Sequence, residues 1–320
     1  MTTHTQTRPS RAKEALLAVV RWFDSWAGRD EPVAKPKRVD WVRVVPFTLL
    51  HVACGLVLVA GWSWVAVGVA AALYVVRMFA ITGFYHRYFS HRSFKTSRFM
   101  QFVFAVMGAS AVQRGPLWWA AHHRHHHANS DGEDDLHSPV RNGFWWAHVG
   151  WITDRRNFKT RLERVKDLAR YPELRFLDRF DLVVPVLLFA SLFVLGWALN
   201  AWNPELGTSG FQMTVWGLIS TVVLGHATFT INSLSHLFGS RPYETTDTSR
   251  NNPWLALLTL GEGWHNNHHY YQASARNGFL WWEYDITYYG LLALKSLGLV
   301  WDLNPVPVKI LERRWQHRRK

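Results

Sequence analysis

Apolar residues gather along this 320-residue chain in four runs, at about residues 43 to 61, 64 to 84, 182 to 200 and 212 to 232. Each approaches the roughly 20 residues that a helix needs to cross the hydrocarbon core of a bilayer. Only the residues around Gly61 to Ser63 separate the first two runs, and Asn200 to Gly210 separate the second two. Each pair therefore returns the chain to the side it left. A shorter run, Phe99 to Val112, is interrupted by Gln101 and followed by Arg114, which predicts a buried or interfacial helix rather than a span. Ahead of the first run, SRAKEALLAVVRWFDSWAGRD repeats its apolar positions at helical spacing and includes Trp and Phe. That is the pattern of an amphipathic helix lying in the interface plane, and it is too weakly apolar for a cleaved signal peptide.

The expected architecture is an all-α integral membrane protein with four transmembrane helices and a helical cap on one side. Residues 1–40 form a polar segment and an interfacial helix, 41–305 the membrane domain, and 306–320 a basic tail. Charge sets the orientation. Residues 1–42 hold 8 Lys and Arg, residues 86–181 hold 16, and the chain after His236 holds 10, while the two return loops hold none. Positive charge collects in cytoplasmic loops, so both termini and the long middle loop are expected there. The net charge of +13 thus reads as topology, and no nucleic-acid-binding motif accompanies it. Nineteen tryptophans suit a chain with two membrane interfaces. The single cysteine, Cys54, excludes disulfides within the chain and a cysteine-held iron–sulfur cluster. Arg77, inside the second run, is expected to snorkel or pair.

With the spans placed, histidine-rich stretches fall on the same cytoplasmic side. They are HRYFSH (His86, His91), HRHHH (His123 to His127) and HNNHH (His265, His268, His269). A fourth piece, NSLSH, puts Asn232 and His236 four apart at the end of the fourth run. In H-x-x-H-H the rings at i, i+3 and i+4 share a helix face, so they can converge on one metal or two. Imidazole suits Fe, Zn, Cu and Ni. A zinc hydrolase needs only about three ligands and an open position, and about nine histidines are too many for one ion. Two metals with four or five nitrogen donors each, and room for O2 between them, fit the count better. A transport protein would place more polar groups within its spans, and these four are nearly empty of carboxylates.

HRYFSH, HRHHH, NSLSH and GEGWHNNHH, in that order, resemble the membrane fatty acid desaturases of the stearoyl-CoA delta-9 type. The resemblance runs over roughly residues 40 to 305 and includes GFWWAHVGW (Gly143 to Trp151) and HLFGSRPY (His236 to Tyr243). It implies four membrane helices under a cytoplasmic cap enclosing two irons. The implied ligands are His86, His91, His123, His126, His127, His236, His265, His268 and His269, with Asn232 reaching a metal through water. His122 and His125 are surplus to that pattern. His137 and His148 match family histidines that are not ligands, and His4, His51, His226 and His317 have no motif around them.

The implied reaction removes two hydrogens from a saturated acyl chain with O2 and two electrons, leaving a cis double bond. Gln113, Trp119 and Thr228 match the kink of the family's substrate tunnel, and Tyr74 and Met78 match positions near its closed end. Ala121 and His122 stand where relatives acting on acyl-CoA carry Arg and Asp, so acyl-lipid and acyl-carrier-protein substrates stay open beside acyl-CoA. The chain carries no cytochrome b5 signature and no Gly-rich dinucleotide loop, so an external ferredoxin or cytochrome b5 type donor with its reductase is expected. The form WHNNHH resembles bacterial members and implies a plasma membrane. A hydroxylase of lipid or alkane on the same scaffold is the alternative, and a non-redox metal-binding or transport membrane protein is a second.

Overall fold

A computed structural model describes residues 11–27 and 39–312. The polar start of the chain, His4, and the end of the basic tail with His317 lie outside the described residues. Helix α1 (Arg11–Phe23) occupies the expected amphipathic stretch. Leu16 and Phe23 are each 65% exposed there, an apolar face available to lipid, and Trp22 ties the helix to the chain ahead by donating to the Val42 carbonyl.

Four helices are long and apolar enough to cross a membrane: α2 (Trp41–Ala60), α3 (Trp64–Ser90), a third at Val183–Trp202, and a fourth within Pro204–His236. The residue order between them holds α4 (Arg98–Ala109) and α5 (Pro116–Asn129), so the third and fourth spans become α6 (Val183–Trp202) and α7 (Gly210–Ser233). The return after α2 is as short as the sequence demands. Gly61 adopts φ +64°, a value open to glycine without a Cβ clash, and Ser63 then caps α3 by accepting from Ala66 N–H. The same hydroxyl donates to Gln212 at the start of α7, whose amide in turn donates to the Ala60 carbonyl. These bonds pin the α2–α3 hairpin to the fourth span.

Arg77 pairs rather than snorkels. It is 1% exposed, and its guanidinium donates to Thr221 Oγ1 at 2.6 Å and Ser220 Oγ at 2.7 Å, both on α7. The short helix α4 is buried against the end of α3, with Phe84 and Phe104 stacked at 3.7 Å. Gln101, which interrupts the apolar run, accepts from the Tyr88 hydroxyl at 3.0 Å. A two-stranded ribbon departs from the all-helical pattern: β1 (Lys95–Thr96) pairs antiparallel with β2 (Val300–Trp301). It fastens the chain after the first histidine motif to the C-terminal region.

α3 also runs six residues past the expected end of the second span. Through Ala80–Ser90 it changes to the wider i→i+5 hydrogen bonding of a π-helix, which is common at functional sites. That change carries HRYFSH into the cap as helix.

Candidate metal centre

In an α-helix, residues five apart are separated by about 140° around the axis, so H-x4-H would point two ways. The π turn corrects this. His91 N–H donates to the His86 carbonyl at 3.2 Å, and the two rings come to 4.8 Å. α5 begins with Pro116 in its first turn, where a missing N–H is harmless, and presents His123, His126 and His127. His236 lies in the 3-10 turn after α7. The last three come from α8 (His265–Tyr270).

These side chains form two adjoining groups. His86, His91, His123, His127 and His268 make one, His126, His236, His265 and His269 the other, and within each group the nitrogen atoms all lie within 4.8 Å of one another. Representative approaches are 2.8 Å between Nε2 of His91 and His123 and 3.1 Å between Nε2 of His236 and His265. The rings of His127 and His269 join the groups at 4.5 Å. Burial first, then the neighbouring rings, push His91, His123, His127, His265 and His268 well below the ordinary imidazole range. They are therefore neutral, the state in which a metal can use them.

Carboxylates fix which nitrogen faces inward. Nδ1 of His236 donates to Asp131 at 3.1 Å, His126 to Asp135 at 3.2 Å and His269 to Asp247 at 2.6 Å. Glu262 Oε2 lies 2.6 Å from His86 Nδ1. Each Nε2 lone pair is thus directed into the cluster, the arrangement that orients histidine ligands. Nε2 of His269 is buried without a hydrogen-bond partner. The set is a convergent array of imidazole donors, and it fits a pair of imidazole-preferring metal ions. Burial pushes Asp131 and Asp247 up, but their histidines and neighbouring donors outweigh it and hold both below the usual carboxylate range.

Those four carboxylates escaped the sequence reading. Asp131 and Asp135 stand in DGEDD, with three residues between it and HRHHH, and Glu262 stands in GEGWH, a local signal that was available. Asp247 offers none. Asp131 adopts φ +56° and is held there by Ser138 Oγ, Thr248 N–H and Thr248 Oγ1, all donating to it.

His122 and His125 belong to neither group. His122 Nδ1–H donates to the Trp118 carbonyl at 2.9 Å, and His125 Nε2–H to the Asp134 carbonyl at 2.8 Å. His137 forms a smaller buried group with His126 and Asp135. The histidines without a motif are not isolated: His51 and His148 both bond His226, at 3.0 and 3.1 Å, and His148 reaches Ser233 Oγ at 3.0 Å.

A cavity of about 410 Å³ leads from His123 and Asn232 between α2, α6 and α7. Gln113, Trp119 and Thr228 line it. Gln113 donates to Thr228 Oγ1 at 3.0 Å, and Trp119 stacks on His123 at 4.9 Å. Tyr74 and Met78 sit apart from its wall: the Tyr74 hydroxyl donates to the Leu258 carbonyl, and Met78 is buried in the core around Ile81 and Leu291.

Four membrane-length helices beneath a buried histidine cluster able to bind metal, with an apolar cavity opening on it, define a membrane metalloenzyme acting on a long apolar substrate. The fatty acid desaturase family model matches residues 34–295, and the chain belongs to that family. It is 37% identical over 274 residues to an sn-1 stearoyl-lipid 9-desaturase of Anabaena variabilis, covering 84% of this chain and 95% of the relative. It is equally 37% identical over 294 residues to an acyl-CoA C20 Delta5-desaturase of Anemone leveillei, covering 88% and 89%. A palmitoyl-monogalactosyldiacylglycerol delta-7 desaturase of Arabidopsis thaliana shares 35% over 291 residues, covering 89% and 72%. The protein is an oxidoreductase of lipid metabolism.

Proposed function

We propose that this enzyme inserts a cis double bond at the delta-9 position of a saturated long-chain acyl group, using two irons, O2 and two electrons from a separate carrier. One observation carries the reading: two adjoining groups of five and four buried or half-buried histidines meet a largely apolar cavity at His123 and Asn232. The balance is one –CH2–CH2– unit, O2, two electrons and two protons giving one –CH=CH– unit and two waters. No side-chain acid or base breaks an unactivated C–H bond, so the iron pair, when bound, supplies an oxidant derived from O2.

His86, His91, His123, His127 and His268 hold one iron. His126, His236, His265 and His269 hold the other, with Asn232 acting through water. Asp131, Asp135, Asp247 and Glu262 orient the rings of His236, His126, His269 and His86 respectively. The cavity wall excludes water and fixes which carbons face the histidines. The Gln113–Thr228 bond and the Trp119 ring shape the bend at that point. The delta-9 position rests on the named activity of the cyanobacterial relative. The donor is a ferredoxin or cytochrome b5 type carrier with its reductase, and the basic face of the cap suits an acidic one. Both termini and the site face the cytoplasm of a bacterial plasma membrane.

Product analysis of membranes from expressing cells tests this. Oxygen-dependent conversion of stearoyl chains to a 9-monounsaturated product supports it. Hydroxy acids without olefin would make the enzyme a hydroxylase instead.

A further inference from the structure

If the cavity holds the acyl chain, as proposed above, its charged lining bears on what that chain is attached to. Arg21 on α1, Arg43 in the first turn of α2, and Arg114 line it together with Asp181. Arg114 is engaged: its Nε is 3.1 Å from Asp181 Oδ2, and Nη2 donates to the Phe158 carbonyl at 2.8 Å. Arg21 Nε donates to the Ala27 carbonyl at 2.7 Å.

Arg43 differs. Its guanidinium lies over the Phe158 ring, 3.8 Å from the centroid, and no acceptor among the described residues takes a hydrogen bond from it. The aromatic face supports the guanidinium, and Arg43 lines the cavity. A partly buried guanidinium whose N–H groups lack hydrogen-bond acceptors is unfavourable unless something else supplies them. A guanidinium edge matches two oxygens of a phosphate.

We propose that Arg43 docks a phosphate on the group that carries the acyl chain, so that the substrate is a phosphate-bearing acyl carrier rather than a sugar-headed lipid. A neutral sugar head can accept a hydrogen bond from Arg43 but offers neither the charge nor the paired oxygens of a phosphate. Acyl-CoA and a phospholipid share the required chemistry.

The test is direct binding to the full-length protein in detergent micelles, read by tryptophan fluorescence. The ligands are stearoyl-CoA, a stearoyl lysophospholipid and a stearoyl monogalactosylglycerol. The wild type is expected to bind at least one phosphate-bearing ligand tightly, and Arg43→Gln to weaken it about tenfold or more while the galactosyl ligand is unaffected. Arg43→Lys keeps the charge and recovers part of the loss. Competition by free CoA identifies acyl-CoA as the source; its failure to compete identifies the phospholipid. Arg43 makes no side-chain hydrogen bond among the described residues, so Arg43→Gln should stay folded with only the Phe158 stacking lost, and Arg43→Lys carries the comparison if it does not. Unchanged affinity for both phosphate ligands in Arg43→Gln, or an equal loss on the galactosyl ligand, overturns the proposal. Binding is read without turnover, so a protein that binds in this way and makes no double bond contradicts the desaturation reading alone.

Discussion

Nδ1 of His269 and Oδ2 of Asp247 stand 2.6 Å apart across 22 residues of sequence. The carboxylate fixes the tautomer of the ring, and Ser249 N–H holds the carboxylate in turn at 3.0 Å. Removing such an outer partner typically lowers metal affinity or activity about 10- to 100-fold. Asp247→Ala should fall in that range while the protein stays folded. Metal content of the purified variant and product yield check it together, and an activity within about twofold of wild type would show that His269 needs no such support.

Within AAHHRHHHANSD the five histidines should separate by function. His127→Ala is expected to abolish activity, whereas His125→Ala keeps most of it, because His125 is turned to the Asp134 carbonyl. Product analysis of the two variants in one host reads the difference. Equal loss at both positions would contradict the division of α5 into a ligand face and a supporting face.

Arg77 gives a stability prediction. Thr221→Val removes the 2.6 Å acceptor and strands part of a buried guanidinium, which should lower stability by roughly 1–3 kcal/mol. Arg77→Met removes the charge along with its need for partners and should be milder than Thr221→Val. Thermal unfolding in detergent orders the two.

Gly263, between Glu262 and the third histidine motif, has no room for a side chain. A Cβ there would meet Ala256 N at 2.0 Å and Asn252 O at 2.4 Å, both backbone atoms that cannot swing aside. Gly263→Ala should therefore fold poorly, with a destabilisation of about 3 kcal/mol or more, visible as loss of folded protein before any assay of activity.

The spans were legible because their apolar runs are long and their return loops carry no positive charge. The histidine boxes were legible because i, i+3 and i+4 spacing survives translation into helix. HRYFSH stood out by its histidines and its place at the end of the second span, but spacing did not show that its two rings converge, since x4 spacing converges on a π turn and not on an α-helix. Asp247 could not be found, because a carboxylate 22 residues from its histidine leaves no local pattern. The link of His51 and His148 through His226 was equally hidden: the three residues lie on α2, the Trp146–Gly150 turn and α7, and meet only when these pack together.

Iron content tests the central claim most directly. After anaerobic loading, the full-length protein is predicted to hold two irons per chain, and His236→Ala about one, since it disrupts the four-histidine group while leaving the other five in place. One tightly held ion in the wild type, or no loss in His236→Ala, would contradict a centre built from two histidine groups.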